Sequence, residues 1–209
     1  ENVWLSYTDK NILEDINLDI YQGDFLLITG PNGGGKTSLL RTILRLQSPT
    51  KGRISFFRQG EPVSSLDMGY LPQKNSIDSR FPITVEEVVA SGLMGNAQKR
   101  NTKFDSKKEI DEMLDLMGIT ALRNKPIGVL SGGQLQRSLF GRALISKPEM
   151  LILDEPASYI DRQFGNRMFE ILRDLSSNGT TIMMVSHEIE PFITLSNRNL
   201  YINHILGDR

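Results

Sequence analysis

Cysteine is absent from the 209 residues. That excludes a disulfide framework and any thiolate metal site, and it fits a reducing compartment. Tryptophan occurs once and histidine twice. No stretch approaches the roughly 20 consecutive apolar residues that a membrane-spanning helix needs. Neither sign of charge prevails: 24 Lys and Arg face 25 Asp and Glu, a net charge of -1. So even a balance carries no electrostatic footprint for nucleic acid or an anionic membrane. Repeats and low-complexity tracts are also missing. Glu1 to Tyr7 lack the basic-then-apolar order of a signal peptide, and the missing initiator Met reads as a trimmed or incomplete start, which leaves a lost leader open.

What remains is ordinary globular usage, 39% hydrophobic and 23% charged, in a chain long enough to bury a core. Residues 1 to 29 read as short strands, with Ile16 and Leu18 alternating and Phe25 to Ile28 continuously apolar. Gly30 to Gly35 interrupts, and Leu39, Leu40, Ile43, Leu44 and Leu46 then recur at helical spacing. Residues 74 to 146 read as mostly helical. Thr84 to Glu87 and Ser106 to Glu109 both have the form of a capping box. Ile110, Met113, Leu114 and Met117 form a stripe that Gly118 ends. The last part returns to strand, helix and strand: Met150 to Leu153, then Phe164, Met168, Ile171, Leu172 and Leu175, then Thr181 to Val185. Met183 and Met184 read as core, and Lys99-Arg100 and Lys107-Lys108 as solvated faces. Strands alternating with helices predict a mainly parallel α/β sheet, with the helical block as an inserted subdomain.

Gly30 to Thr37 satisfies G-x-x-x-x-G-K-S/T between a buried strand and an amphipathic helix. Glycines let backbone N–H groups close on β- and γ-phosphates. Lys36 adds a positive charge, and the helix N-terminus faces the same anion. The Thr37 hydroxyl can ligate Mg²⁺. Asp154 and Glu155 follow the second buried strand directly, at the edge where parallel sheets bind ligands. One acid can hold the metal through water and the other can activate an attacking water. Asp154, nearest the strand end, suits the metal; Glu155 reaches further toward a γ-phosphate. Leu130, Ser131, Gly132, Gly133 and Gln134 precede a further helix and make a second anion-binding N-terminus.

Taken together, these strings resemble the ABC (ATP-binding cassette) ATPases over nearly the whole chain. Residues 30 to 37 correspond to Walker A, 130 to 134 to the LSGGQ signature with Gln136-Arg137 continuing it, and 151 to 155 to Walker B. Ser158 to Asp161 resembles the D-loop, with Tyr159 where alanine is common. The resemblance implies a P-loop (RecA-like) core, an N-terminal antiparallel β subdomain and the helical insertion within one domain, 1–73 and 147–209 forming the core. It assigns nucleotide binding to Tyr7, Gly30, Pro31, Asn32, Gly33, Gly34, Gly35, Lys36, Thr37 and Ser38, with Tyr7 stacking on adenine although Trp4 is a nearby aromatic. It makes Glu155, His187 and Gln73 catalytic, places Mg²⁺ on Thr37, Gln73 and Asp154, and gives Asp161 to the D-loop. His204 receives no role.

The same resemblance implies ATP and Mg²⁺ as cofactors and a head-to-tail homodimer, in which each signature closes on the other copy's ATP. Gln73 would report to a transmembrane permease. Import would further require an extracytoplasmic substrate-binding protein, and the chain would sit on the cytoplasmic face of the membrane through the permease. The three-glycine Walker A and Ile77 to Val85 look like the ATPases of zinc and manganese importers. The alternative is a soluble ABC protein of DNA repair, ribosome work or iron–sulfur assembly. No long coiled-coil insert, no second cassette and a different signature continuation weigh against these. The sequence shows no regulatory domain; it stops soon after His187, which leaves a truncated C-terminus open.

Overall fold

The structure, a computed structural model, describes residues 1–8, 10–73, 82–94, 103–158, 160–187, 190 and 192–208. Alternation in the first segment yields β1 (Val3–Tyr7) and β2 (Lys10–Ile16), an antiparallel pair that buries Val3, Leu5, Leu13 and Ile16. β3 (Phe25–Thr29) is buried along its length. α1 (Lys36–Ile43) follows, then the hairpin β4 (Phe56–Arg58) and β5 (Glu61–Val63), then β6 (Met68–Leu71). The helical block holds α2 (Val85–Ser91), α3 (Lys103–Leu116) and α4 (Gly132–Leu144). The chain then forms β7 (Met150–Asp154), α5 (Arg162–Ser177), β8 (Thr181–Val185), β9 (Arg198–Asn203) and β10 (Ile205–Asp208).

Six strands lie in the order β10-β9-β3-β8-β7-β6. Every neighbouring pair is parallel except β9 with β10. Alternate residues of the central strands serve two cores. Phe25, Leu27, Leu151, Leu153, Ile182 and Met184 face the α2, α3, α4 and α5 side. Leu26, Ile28, Met150, Ile152, Met183 and Val185 face β1, β2 and α1. A sheet covered on both faces needs unbroken apolar strands, which is why these three runs are legible. Truncating Leu151 or Leu153, both fully shielded, to Ala would cost about 2–5 kcal/mol each.

Local chemistry sets the helix ends. Thr84 Oγ1 accepts from the Glu87 N–H at 3.3 Å, and Glu87 Oε2 accepts from the Thr84 N–H at 2.8 Å, the expected capping box. The second expected box is not one. Ser106 lies inside α3, which starts at Lys103, because Ser and Glu three apart are also tolerated within a helix. Ile110, Leu114 and Met117 are buried, and Gly118 at φ 65° ends the helix. Leu46 is likewise misplaced. α1 ends at Ile43, Arg45 turns left-handed at φ 56°, and Leu46 is 66% exposed. Within the helical block, residues 74–81 and 95–102 lie outside the described residues, Lys99-Arg100 and most of Ile77 to Val85 with them. Lys107 and Lys108 are exposed as expected.

Candidate functional site

Sheet register builds the site. Ile28, Val185 and Asp154 stand in one row across β3, β8 and β7, and Leu71 of β6 pairs with Leu153. The C-terminal ends of four strands are therefore level, the edge at which open parallel sheets bind ligands. The residues that follow each strand share one cleft of about 280 Å³. It is lined by Tyr7, Ile12, Asn32, Gly33, Gly35, Lys36, Thr37, Ser38, Gln73, Asp154, Glu155, Val185 and His187. Gly30, Pro31 and Gly34 complete the loop but are not among the lining residues.

The loop opens a helix N-terminus toward the cleft. Gly35 precedes α1 at φ 97°, no side chain caps the helix, and its first turn holds no acid. Its leading N–H groups thus suit an anion. A Cβ on Gly35 would stand 2.7 Å from the Ile12 carbonyl oxygen, and one on Gly30, at φ 143°, only 1.9 Å from that of Ile202. Glycine is required at both. Lys36 is buried, and its Nζ donates to the Gly30 and Pro31 carbonyls at 2.8 and 2.9 Å. Burial pulls the ammonium below its ordinary pKa, while the charges of Glu155 and Asp154 oppose this.

Asp154 is 1% exposed, and apart from a weak contact with the Thr37 hydroxyl neither carboxylate oxygen has a hydrogen-bond donor. Burial, seconded by the charge of Glu155, pushes its pKa up, against the Thr37 hydroxyl first and then the charges of Arg41 and Lys36. A buried acid without a donor is costly, and a cation supplies what is missing. Among the described residues no group of three or more His, Asp or Glu forms a metal cage. The buried Asp154 carboxylate beside the Thr37 hydroxyl suits Mg²⁺, which takes one or two carboxylates and completes its shell with phosphates and water.

Glu155 sits in the left-handed region at φ 53°, a strained conformation of the kind found at working sites. Its N–H still donates to the Val185 carbonyl at 2.9 Å. The carboxylate is held twice by one residue: the His187 N–H donates to Oε2 at 3.3 Å, and His187 Nε2 lies 3.2 Å from Oε1. Tyr7, half exposed at the rim, donates its hydroxyl proton to Gln47 Oε1 at 2.6 Å. Trp4 lies under Lys51 instead and is not among the lining residues. Gln73 is exposed and lines the cleft.

The signature is not brought to this cleft. Ser131, Gly133, Gln134 and Asp161 line a separate depression with Gly118 and Arg137; Leu130 packs on the core below, and Gly132 begins α4. Ser131 caps that helix, its Oγ accepting from the Gln134 N–H while Gln134 Oε1 accepts from the Ser131 N–H. Asp161 caps α5 and also pairs with Arg137 of α4; these two donors hold its carboxyl below the usual range, the Phe164 N–H foremost. Next to Arg137, the Gln136 side chain donates to the Pro156 carbonyl at 3.2 Å. Tyr159 lies outside the described residues.

The pattern of the ABC transporter family matches residues 13–158, which include the phosphate loop, the signature and both acids. The chain belongs to the ABC transporter family. Its relatives extend over nearly all of the cassette. The Listeria monocytogenes zinc uptake system ATP-binding protein ZurA is 37% identical, with 99% of this chain and 80% of that protein aligned. The Haemophilus influenzae zinc import ATP-binding protein ZnuC is 34% identical over 97% of this chain and 70% of its own length. Among solved structures, the dimeric post-hydrolysis ATP-binding cassette MJ0796 bound to ADP and Pi has a TM-score of 0.85 at 25% identity. It covers 100% of this chain, which covers 97% of it. The α/β cassette with a mainly parallel sheet and antiparallel N-terminal strands is thus the family fold. Sequence reasoning passed over Ile12 and Gln47, whose contacts with the site join segments distant in the chain.

Proposed function

We propose that this cassette is the ATP-hydrolysing subunit of a metal-ion importer, zinc or manganese being the cargo class, and that it drives a separate transmembrane permease. One observation carries the chemistry: four level strand ends deliver the phosphate loop, two acids, a histidine and a glutamine to one cleft. The relatives named for zinc uptake, aligned over nearly all of the chain, support the cargo class.

Loop N–H groups and Lys36 bind the β- and γ-phosphates of ATP, and the face of Tyr7 stacks on adenine. Asp154, Thr37 and Gln73 would hold Mg²⁺, which when bound neutralises phosphate charge. Glu155, oriented by the backbone and ring of His187, takes the proton of the attacking water. The signature meets ATP from a second copy. Ser131 Oγ already accepts from Gln134, so its own proton remains to be donated to a γ-phosphate, and the α4 dipole adds to it. ATP then bridges two copies, and hydrolysis releases them.

In this reading residues 74–146 form the helical subdomain between core segments 1–73 and 147–209. The chain works at the cytoplasmic face of the membrane, bound to its permease, and an extracytoplasmic protein delivers the metal. Calorimetry of ATP with Mg²⁺ against Lys36→Ala tests the base of this scheme: affinity should collapse. Retained affinity overturns it. Co-purification of the parent chain with a membrane protein tests the permease.

A further inference from the structure

His204 ties three segments together. It is the single residue between β9 and β10 and takes φ 64°. Its N–H donates to the Gly34 carbonyl at 2.9 Å, and its carbonyl accepts from the Glu14 N–H at 2.8 Å. Its ring Nδ1 lies 3.2 Å from the Ile12 carbonyl oxygen. A carbonyl only accepts, so Nδ1 carries the hydrogen.

The contacts fall where the phosphate loop is wedged. The Ile12 carbonyl occupies the space beside Gly35, and the Ile202 carbonyl of β9 would stand 2.8 Å from a Cβ on Gly34. The loop therefore rests between β2 and β9 with no room for a side chain at Gly30, Gly34 or Gly35. Backbone bonds of His204 join β9 to the loop and to β2. Its ring adds the one side-chain bond, to the carbonyl that walls Gly35, and Ile12 itself lines the cleft.

We propose that His204 is a positioning residue for nucleotide binding, its ring N–H fixing β2 against the phosphate loop so that the loop is preorganised for phosphate. The proposal rests on the nucleotide-site reading above. It gives a reason for the residue type. Among non-glycine residues, His, Asn and Asp are enriched in left-handed backbone, and of these only His and Asn carry a side-chain N–H donor.

The test compares the parent chain with His204→Gly, which keeps the backbone conformation and deletes the ring, His204→Asn, which keeps a donor, and Lys36→Ala. Removing one hydrogen bond should weaken ATP binding about 2- to 10-fold in His204→Gly. Turnover at saturating ATP should stay within about twofold of the parent, the sign of lost binding rather than lost chemistry. His204→Asn should restore affinity to within about twofold. Parental affinity in His204→Gly, with Lys36→Ala defective, overturns the role of His204 and leaves the nucleotide site standing. Weak binding in both His204 variants overturns the donor argument. Parental affinity in Lys36→Ala as well overturns the nucleotide-site reading itself.

Discussion

His187 grips Glu155 at both carboxylate oxygens, by its backbone N–H at 3.3 Å and its ring Nε2 at 3.2 Å. The glutamate is thereby aimed from a left-handed kink that directly follows β7. General-base catalysis contributes about 10²–10⁴-fold, so Glu155→Gln should lose turnover by that factor. The amide is near-isosteric, so ATP affinity should remain. Size-exclusion chromatography with ATP should then show an accumulated nucleotide-bound dimer. Hydrolysis at the parental rate would remove Glu155 from the role of base.

Ser131 tests the composite site. It lies in its own depression, away from the cleft that holds Lys36, so one chain cannot offer both to the same phosphate. Ser131→Arg should abolish turnover by blocking closure of the dimer. Binding of ATP to the monomer should stay within about twofold of the parent. Turnover that survives the arginine would mean that each chain hydrolyses alone.

Asp154 gives a stability prediction with a defined sign. Its folded pKa is raised, chiefly by burial. The ionised form is thus disfavoured in the fold, and the acid costs stability above its unfolded pKa of about 3.9. The cost fades as pH falls and the group protonates. A buried unsatisfied group costs about 1–3 kcal/mol, of which asparagine, still a polar amide, relieves the share owed to the charge. Asp154→Asn should therefore raise the nucleotide-free Tm, by roughly 2–4 °C for each kcal/mol relieved in a chain this size, and the gain should shrink in acid. It should also abolish Mg²⁺-dependent turnover. A lowered Tm at neutral pH would refute the charge argument.

Which parts were legible in the sequence follows from how each is built. β3, β7 and β8 are buried on both faces and read as unbroken apolar runs. The phosphate loop, the acids and the signature are contiguous strings at strand or helix ends. β6 and the hairpin β9–β10 gave no such signal. β6 is only Met68–Leu71 and β10 only Ile205–Asp208, and β9 buries Leu200 and Ile202 among polar neighbours. Contacts such as Tyr7 with Gln47 or His204 with Ile12 cross 40 and 192 positions. No local pattern encodes them. Ser106 shows the converse, a capping string that the fold does not use.

The pair Arg137 and Asp161 links α4 to the loop between β7 and α5, within one chain. Arg137 also lies 4.5 Å from the Phe164 ring centroid. An exposed ion pair alone is worth about 0.2–1 kcal/mol, and the ring contact adds about 0.5–1 kcal/mol. Arg137→Ala should thus lose about 1–2 kcal/mol, read by chemical denaturation. Combined with Asp161→Ala it should show coupling above the roughly 0.3–0.5 kcal/mol scatter of independent sites. Acidity supplies a second check. The folded pKa of Asp161 is lowered, first by the Phe164 N–H and then by Arg137. Its stabilisation is present above the unfolded value of about 3.9 and is lost as pH falls through the lower folded value. The deficit of Arg137→Ala should accordingly narrow below about pH 4. Strict additivity in the cycle would show that α4 and α5 are not coupled through this contact, and the deficit would then belong to the Phe164 ring alone.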